Sequence, residues 1–211
     1  MGRPGVWVGV LGFGILIYIL INTLRTEGPG SSGPKGGGHK LPPFAVPLVL
    51  SKLEGDANVA TKADQGAAGK VPACSIHRPD VLNSCTINAG RPAVIGFLVT
   101  RGGNCSGSFD ALQRVAKAHP EIGVAGVIIR GDRDDARKLV RKHGWTFPIG
   151  FDHDGAVANI YGIAVCPETV LAYPSGRVRE TLVGSGNAER DLEKRVKQLE
   201  LAARAKGWKP S

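Results

Sequence analysis

The sequence predicts an α/β fold, a mixed sheet flanked by helices, preceded by an N-terminal transmembrane helix. Three observations carry the globular part. Two uninterrupted apolar runs of strand length, PAVIGFLV from Pro92 and IGVAGVII from Ile122, read as strands buried on both faces. Between them Phe109, Leu112, Val115 and Ala116 line one face of a helix, which makes a strand–helix–strand unit. Finally, TVLAY and VRETLV flank Pro174-Ser175-Gly176, a hairpin signal that makes the last two strands antiparallel.

The elements follow in order. Val6 to Leu24, VWVGVLGFGILIYILINTL, carries no charge and as a helix would span about 28 Å, enough for a hydrocarbon core. A cleaved signal peptide would have a shorter apolar region and a small-x-small site, whereas Asn22, Thr23, Leu24 and Arg25 follow here, favouring an uncleaved anchor. Residues 26–40, TEGPGSSGPKGGGHK, form a flexible linker. The organisation is therefore an anchor with its short flank over 1–25, the linker, and one folded domain over 41–205 with an irregular insertion at 56–86.

The domain opens at LPPFAVPL, whose alternation and prolines suggest an edge strand. After the strand–helix–strand unit, Asp132 can cap a helix that Gly144 ends. FPIGF is a short strand, Asp154-Gly155 a turn, and Ala156 to Tyr161 a brief helix. Asn187 opens an amphipathic helix with Leu192, Val196 and Leu199 on one face.

The formal charge is +9, but Lys and Arg are interspersed with acids, as in DRDDARKLVRKHG. The absence of a basic block with interleaved aromatics argues against a nucleic-acid partner. Proximity to anionic lipid headgroups or wall polymers suits this charge better. No phosphate loop or Ser-His-Asp order stands out, and no cofactor is implied.

The chemistry-bearing stretch is TRGGNCSG, residues 100–107, where Cys105 sits at a strand-to-helix corner. Here the sequence resembles the thioredoxin superfamily, in its redoxin branch of membrane-anchored TlpA-like thiol–disulfide oxidoreductases and AhpC/TSA-type peroxiredoxins. LPPFAVPL resembles the opening strand of redoxins. GFLVTRGGNC resembles the strand and active-site corner, where the TlpA-like pattern is Phe-Trp-Ala-x-Trp-Cys-x-x-Cys. FDHDGAVANIYGIAVCPETVLAYPSGRV resembles the stretch with the cis-proline and its hairpin. The resemblance spans roughly residues 41–200.

By that resemblance Cys105 takes the place of the second cysteine of Cys-x-x-Cys, and Gly102 stands where the first would be. Pro167 takes the cis-proline position, with Cys166 just before it. The fold so implied packs Cys166 near Cys105, as a redox pair replacing the within-motif pair or as a fixed bridge. Gly102, Gly103, Asn104 and Pro167 would form the active-site loop. Cys105, at a helix N-terminus, is expected to carry the chemistry with Cys166 as partner.

A peroxiredoxin-like reading, with Cys105 as peroxidatic cysteine, lacks the usual Thr, since Gly102 occupies that position. Four cysteines allow three full pairings. Sequence proximity favours Cys74–Cys85, and closing that loop would stabilise the fold by about 3 kcal/mol in the chain-entropy model. Zinc on Cys74, His77 and Cys85 is the alternative, without a convincing fourth ligand. Disulfides persist in oxidising space, which argues for a cell-membrane protein with its domain outside the cytoplasm. The expected function is thiol–disulfide exchange with protein thiols or disulfides, and less readily with peroxide. The rival is a non-catalytic binding or scaffolding module of the cell envelope.

Overall fold

A computed structural model describes residues 12–18, 38–53, 71–100, 105–184 and 187–210. The chain divides into two units, Met1–Ser31 and Ser32–Ser211. In the first, residues 12–18 are helical and exposed. The rest of the apolar segment Val6–Leu24 lies outside the described residues, among which no helix is long and apolar enough to cross a membrane.

The second unit is built on a five-stranded sheet of order β5-β4-β3-β6-β7. Its strands are β3 (Ala93–Val99), β4 (Gly123–Ile129), β5 (Ile149–Asp152), β6 (Glu168–Ala172) and β7 (Val178–Val183). β3, β4 and β5 are parallel, while β6 runs antiparallel to both β3 and β7. Both faces of β3 and β4 are covered, which explains their unbroken apolar sequence. On one face Val94, Leu98 and Ile128 join Phe109, Leu112, Val196 and Leu199. Those come from α2 (Ser106–Ala118) and α5 (Asn187–Ala205), which pack on each other. On the other, Ile95, Phe97 and Val127 meet Val157 and Tyr161 of α4 (Ala156–Tyr161).

α3 (Arg133–His143) begins and ends where its punctuation predicts. Asp132 accepts from the amides of Asp134 and Asp135 at 2.8 and 3.0 Å, and Gly144 closes the helix at φ 65°. Asp152 is buried at the end of β5, and its carboxylate accepts from the amides of Val157 and Ala158, fixing the start of α4. The Asp152–Gly155 stretch is thus a turn.

One local reading holds and one is corrected. β1 (Ala45–Pro47) pairs antiparallel with β2 (Val81–Asn83) alone, in a separate two-stranded sheet, and so is an edge strand, although all three of its residues are buried. The described part of 56–86 is ordered, with a 3-10 turn at Ala73–Ser75, β2, and α1 (Ser84–Ile87). Asn83 organises it: Nδ2 donates to the carbonyls of Ala73 and Ile76 at 2.6 and 2.9 Å, and Oδ1 accepts from the Cys85 amide at 2.8 Å. One side-chain amide does here what hydrophobic periodicity would do elsewhere. Residues 54–70 of the insertion lie outside the described residues.

Candidate active site

β3 delivers the chain to one end of the sheet, and α2 leaves from there. Cys105 is the residue just before α2, with φ −103° and ψ 7°, and its own side chain makes no capping hydrogen bond. The Cys105 carbonyl accepts from the Ser108 amide at 3.1 Å and the Ser108 hydroxyl at 2.7 Å, which anchors the first turn. No acidic residue lies in that turn, which leaves the positive end of the helix beside the sulfur. The other predicted corner residues, Gly102, Gly103 and Asn104, lie outside the described residues.

The loop between α4 and β6 returns to the same end. The Cys166–Pro167 peptide is cis, and Pro167 is buried. Cys105 and Cys166 are joined as a disulfide, with Cα atoms 6.0 Å apart across a sequence separation of 61. The Val99 amide donates to Cys166 Sγ at 3.4 Å. The two cysteines are unequally placed. Cys105 is 5 % exposed within the α2-side core, whereas Cys166 is half-buried at that core's margin. A hollow of about 230 Å3, lined by Leu98, Val99, Thr100, Cys105, Asp135 and Leu139, opens beside Cys105. Cys74 and Cys85 form a second disulfide, Cα–Cα 5.4 Å, away from this corner, so neither sulfur is a thiolate available to zinc.

The reading of the sequence missed Glu168, the residue after Pro167. It is fully buried, opposite Phe97 and Val183, and no described side chain pairs with its carboxylate. Burial pushes its carboxyl up to about 7, weakly opposed by the Ala164 backbone amide. Strand alternation held the signal, because Glu168 shares a face with Val170 and Ala172. A buried acid two residues from Cys166 gives this end of the sheet a group pushed up to about 7.

No protein-family profile matches the sequence. No curated protein matches it either. Solved structures do. A Chlorobium tepidum protein assigned as a thiol:disulfide interchange protein DsbE superposes with TM-score 0.57 at 22% identity, over 81% of this chain and 99% of that one. A DsbF homologue from Corynebacterium diphtheriae gives TM-score 0.57 at 16% identity, over 83% of this chain and 97% of that one. DsbF of MTB, solved in mixed oxidized and reduced forms, gives TM-score 0.50 at 28% identity, over 56% of this chain and 87% of that one. With its strand order, its cis peptide before Pro167 and these neighbours, the chain has a thioredoxin-like fold.

Proposed function

We propose that the chain is a membrane-tethered, extracytoplasmic thiol–disulfide oxidoreductase that works through Cys105 and Cys166. The observation that carries this reading is a disulfide between distant elements, with one sulfur at a helix N-terminus and the other half-buried. The interchange activity named for the neighbouring structures agrees with it. The anchor rests on the uncharged Val6–Leu24 segment, and the extracytoplasmic side on the two disulfides.

The burial of the two cysteines supports a reading in which Cys166, and not Cys105, meets the partner. A partner thiolate meets Cys166 first and attacks its Sγ. The Cys105–Cys166 bond breaks, and its electron pair leaves on the Cys105 sulfur, where the positive end of α2 stabilises the thiolate. The Val99 N–H then serves the Cys166 sulfur. A second partner thiolate attacks the partner's own sulfur in the mixed disulfide and releases Cys166 as thiolate. Two electrons have passed from a partner dithiol to the pair; two protons leave the partner for solvent and two are taken up by the new thiolates. Run backwards, the same steps reduce a partner disulfide.

The test is a redox titration of the full chain against glutathione, read by differential alkylation of Cys105 and Cys166, alongside oxidation of a dithiol peptide, insulin reduction and peroxide consumption. A reversible midpoint and dithiol or disulfide turnover, lost in Cys105→Ser and Cys166→Ser, are expected. A bond that stays closed in strong thiol buffer, with no turnover affected by either variant, would make the domain a binding module. Added protease should trim the domain on intact cells; protection until lysis would refute the topology.

A further inference from the structure

The sheet end remote from the disulfide carries a basic, aromatic-lined hollow of about 450 Å3, bordered by Gly90, Tyr173, Pro174, Lys206, Trp208 and Lys209. Lys206 Nζ lies 3.8 Å from the centroid of the Tyr173 ring, and the Arg204 guanidinium 5.6 Å from that of Trp208. Tyr173 and Trp208 are half-buried, so each presents part of its ring to solvent, while Lys206 and Lys209 are exposed. Exposed Arg177 and Lys40 border the same turn. Glu121 and Glu200, the nearby acids, face His119 and lie close enough to Arg204 to interact with it. Lys40, Arg177, Lys206 and Lys209 therefore dominate the solvent-facing charge there.

The linker joins the domain at this place. The Leu41 amide donates to the Gly176 carbonyl and the Val178 amide to the His39 carbonyl, both at 2.8 Å, and Arg177 Nη1 donates to the Gly38 carbonyl at 3.2 Å. The disulfide is at the opposite end of β3: Ala93 pairs with Ala172 beside Tyr173, while Val99 binds Cys166. Seven residues of strand separate the ends by about 20 Å.

We infer that this pole docks on an anionic phospholipid bilayer surface. The inference deepens the tethered reading proposed above and rests on it. Four cationic side chains around two amphipathic rings match an anionic headgroup layer, where Trp and Tyr sit at the interface and Lys and Arg neutralise phosphates. The described end of the linker, residues 38–40, lies at this pole, the part of the domain from which the chain continues in sequence toward the apolar segment. Docking holds the Cys105–Cys166 pair facing away from the bilayer, accessible to partners.

The full chain, reconstituted in nanodiscs of phosphatidylcholine with or without phosphatidylglycerol, is footprinted by lysine acylation and mass spectrometry. Lys40, Lys206 and Lys209 should react at least about threefold more slowly in the anionic discs, while Lys138, on exposed α3 surface, reacts equally in both. High salt should abolish the difference. Lys206→Glu with Lys209→Glu should restore fast acylation of Lys40 without altering thiol–disulfide turnover by the soluble pair. Equal rates in both discs, with the chain integral, would overturn docking and leave the anchor intact. If the chain fails to insert, the anchor reading fails. Docking then stands or falls on sedimentation with phosphatidylglycerol vesicles, binding supporting it and none overturning it. Protection by inorganic phosphate in neutral discs, as strong as that by anionic lipid, would reduce the pole to an anion site and overturn the bilayer assignment.

Discussion

The backbone N–H of Val99 points at Sγ of Cys166, 3.4 Å away, joining the last residue of β3 to the loop before Pro167. It gives Cys166 a donor on the sheet, while Cys105, 5 % exposed, draws on the end of α2. In the proposed exchange each sulfur thus has its own means of carrying negative charge.

That asymmetry predicts which variant traps partners. Cys105→Ser leaves Cys166 without its resolving thiol, so mixed disulfides at Cys166 should accumulate severalfold over those of Cys166→Ser. In the latter the remaining thiol is buried and a partner reaches it slowly. Non-reducing gels of membrane extracts, followed by peptide mapping, check this; heavier trapping by Cys166→Ser would restore Cys105 as the sulfur that meets the partner.

Glu168 gives a pH prediction with a defined sign. Its folded carboxyl sits at about 7 against an ordinary 4.5, so the fold favours the neutral acid. Its contribution to stability is fully present below about pH 4.5, falls as pH rises, and is lost above about pH 7. The shift corresponds to about 3 kcal/mol at most. Glu168→Gln keeps the size and removes the ionisation. Its urea midpoint should exceed that of the parent at pH 8 and match it at pH 4.5; a constant offset at both values would refute the titration.

Periodicity and punctuation carried most of the fold. The runs at Ala93–Val99 and Gly123–Ile129 could be read because both strands are covered on two sides, and Asp132 and Gly144 because caps use few residue types. Long-range polar bonding stayed hidden. Arg133 on α3 donates to the carbonyls of Leu48, Val49, Ser51 and Leu53, and Arg137 to those of Val49 and Ser51, pinning a loop some eighty residues earlier. A charged residue in an amphipathic helix gives no local sign of such a partner. At the site, the cysteine pair could be named only through resemblance, and the relative burial of the two sulfurs depends on packing that no spacing encodes.

Gly126 pairs with Gly96 on the adjacent strand, under Phe109. A Cβ at Gly126 would lie 2.6 and 2.7 Å from carbons of the Phe109 ring and 3.0 Å from Phe147. Phe109 cannot swing aside, because it is fully buried and packs edge-on against Trp145 and Phe147, with centroids at 5.1 and 5.6 Å. Gly126→Ala should therefore destabilise by about 1–3 kcal/mol despite the better strand propensity of alanine. Adding Phe109→Leu should recover part of that loss, a coupling that a double-mutant cycle in urea would measure. Additive losses would mean that the ring is not the obstacle.

The Cys74–Cys85 bond closes a short loop, with a sequence separation of 11, around the turn that Asn83 holds. Cross-linking a loop of that length stabilises by about 3 kcal/mol in the chain-entropy model. Cys74→Ala with Cys85→Ala should therefore lower stability by about 2–3 kcal/mol while leaving exchange by Cys105 and Cys166 intact. Asn83→Ala, which keeps the bond but removes the donors to Ala73 and Ile76 and the acceptor for the Cys85 amide, should cost about 1–3 kcal/mol, because the Ile76 carbonyl and the Cys85 amide lose Asn83 as their partner. Both changes act on the packing of β2 against β1. Hydrogen exchange should accordingly rise first at Val81–Asn83, Ala45 and Val46, with β3 and β4 still protected. Loss of thiol–disulfide turnover in the Cys74/Cys85 variant at a temperature where it remains folded would show that this bond belongs to the redox cycle and is more than a staple.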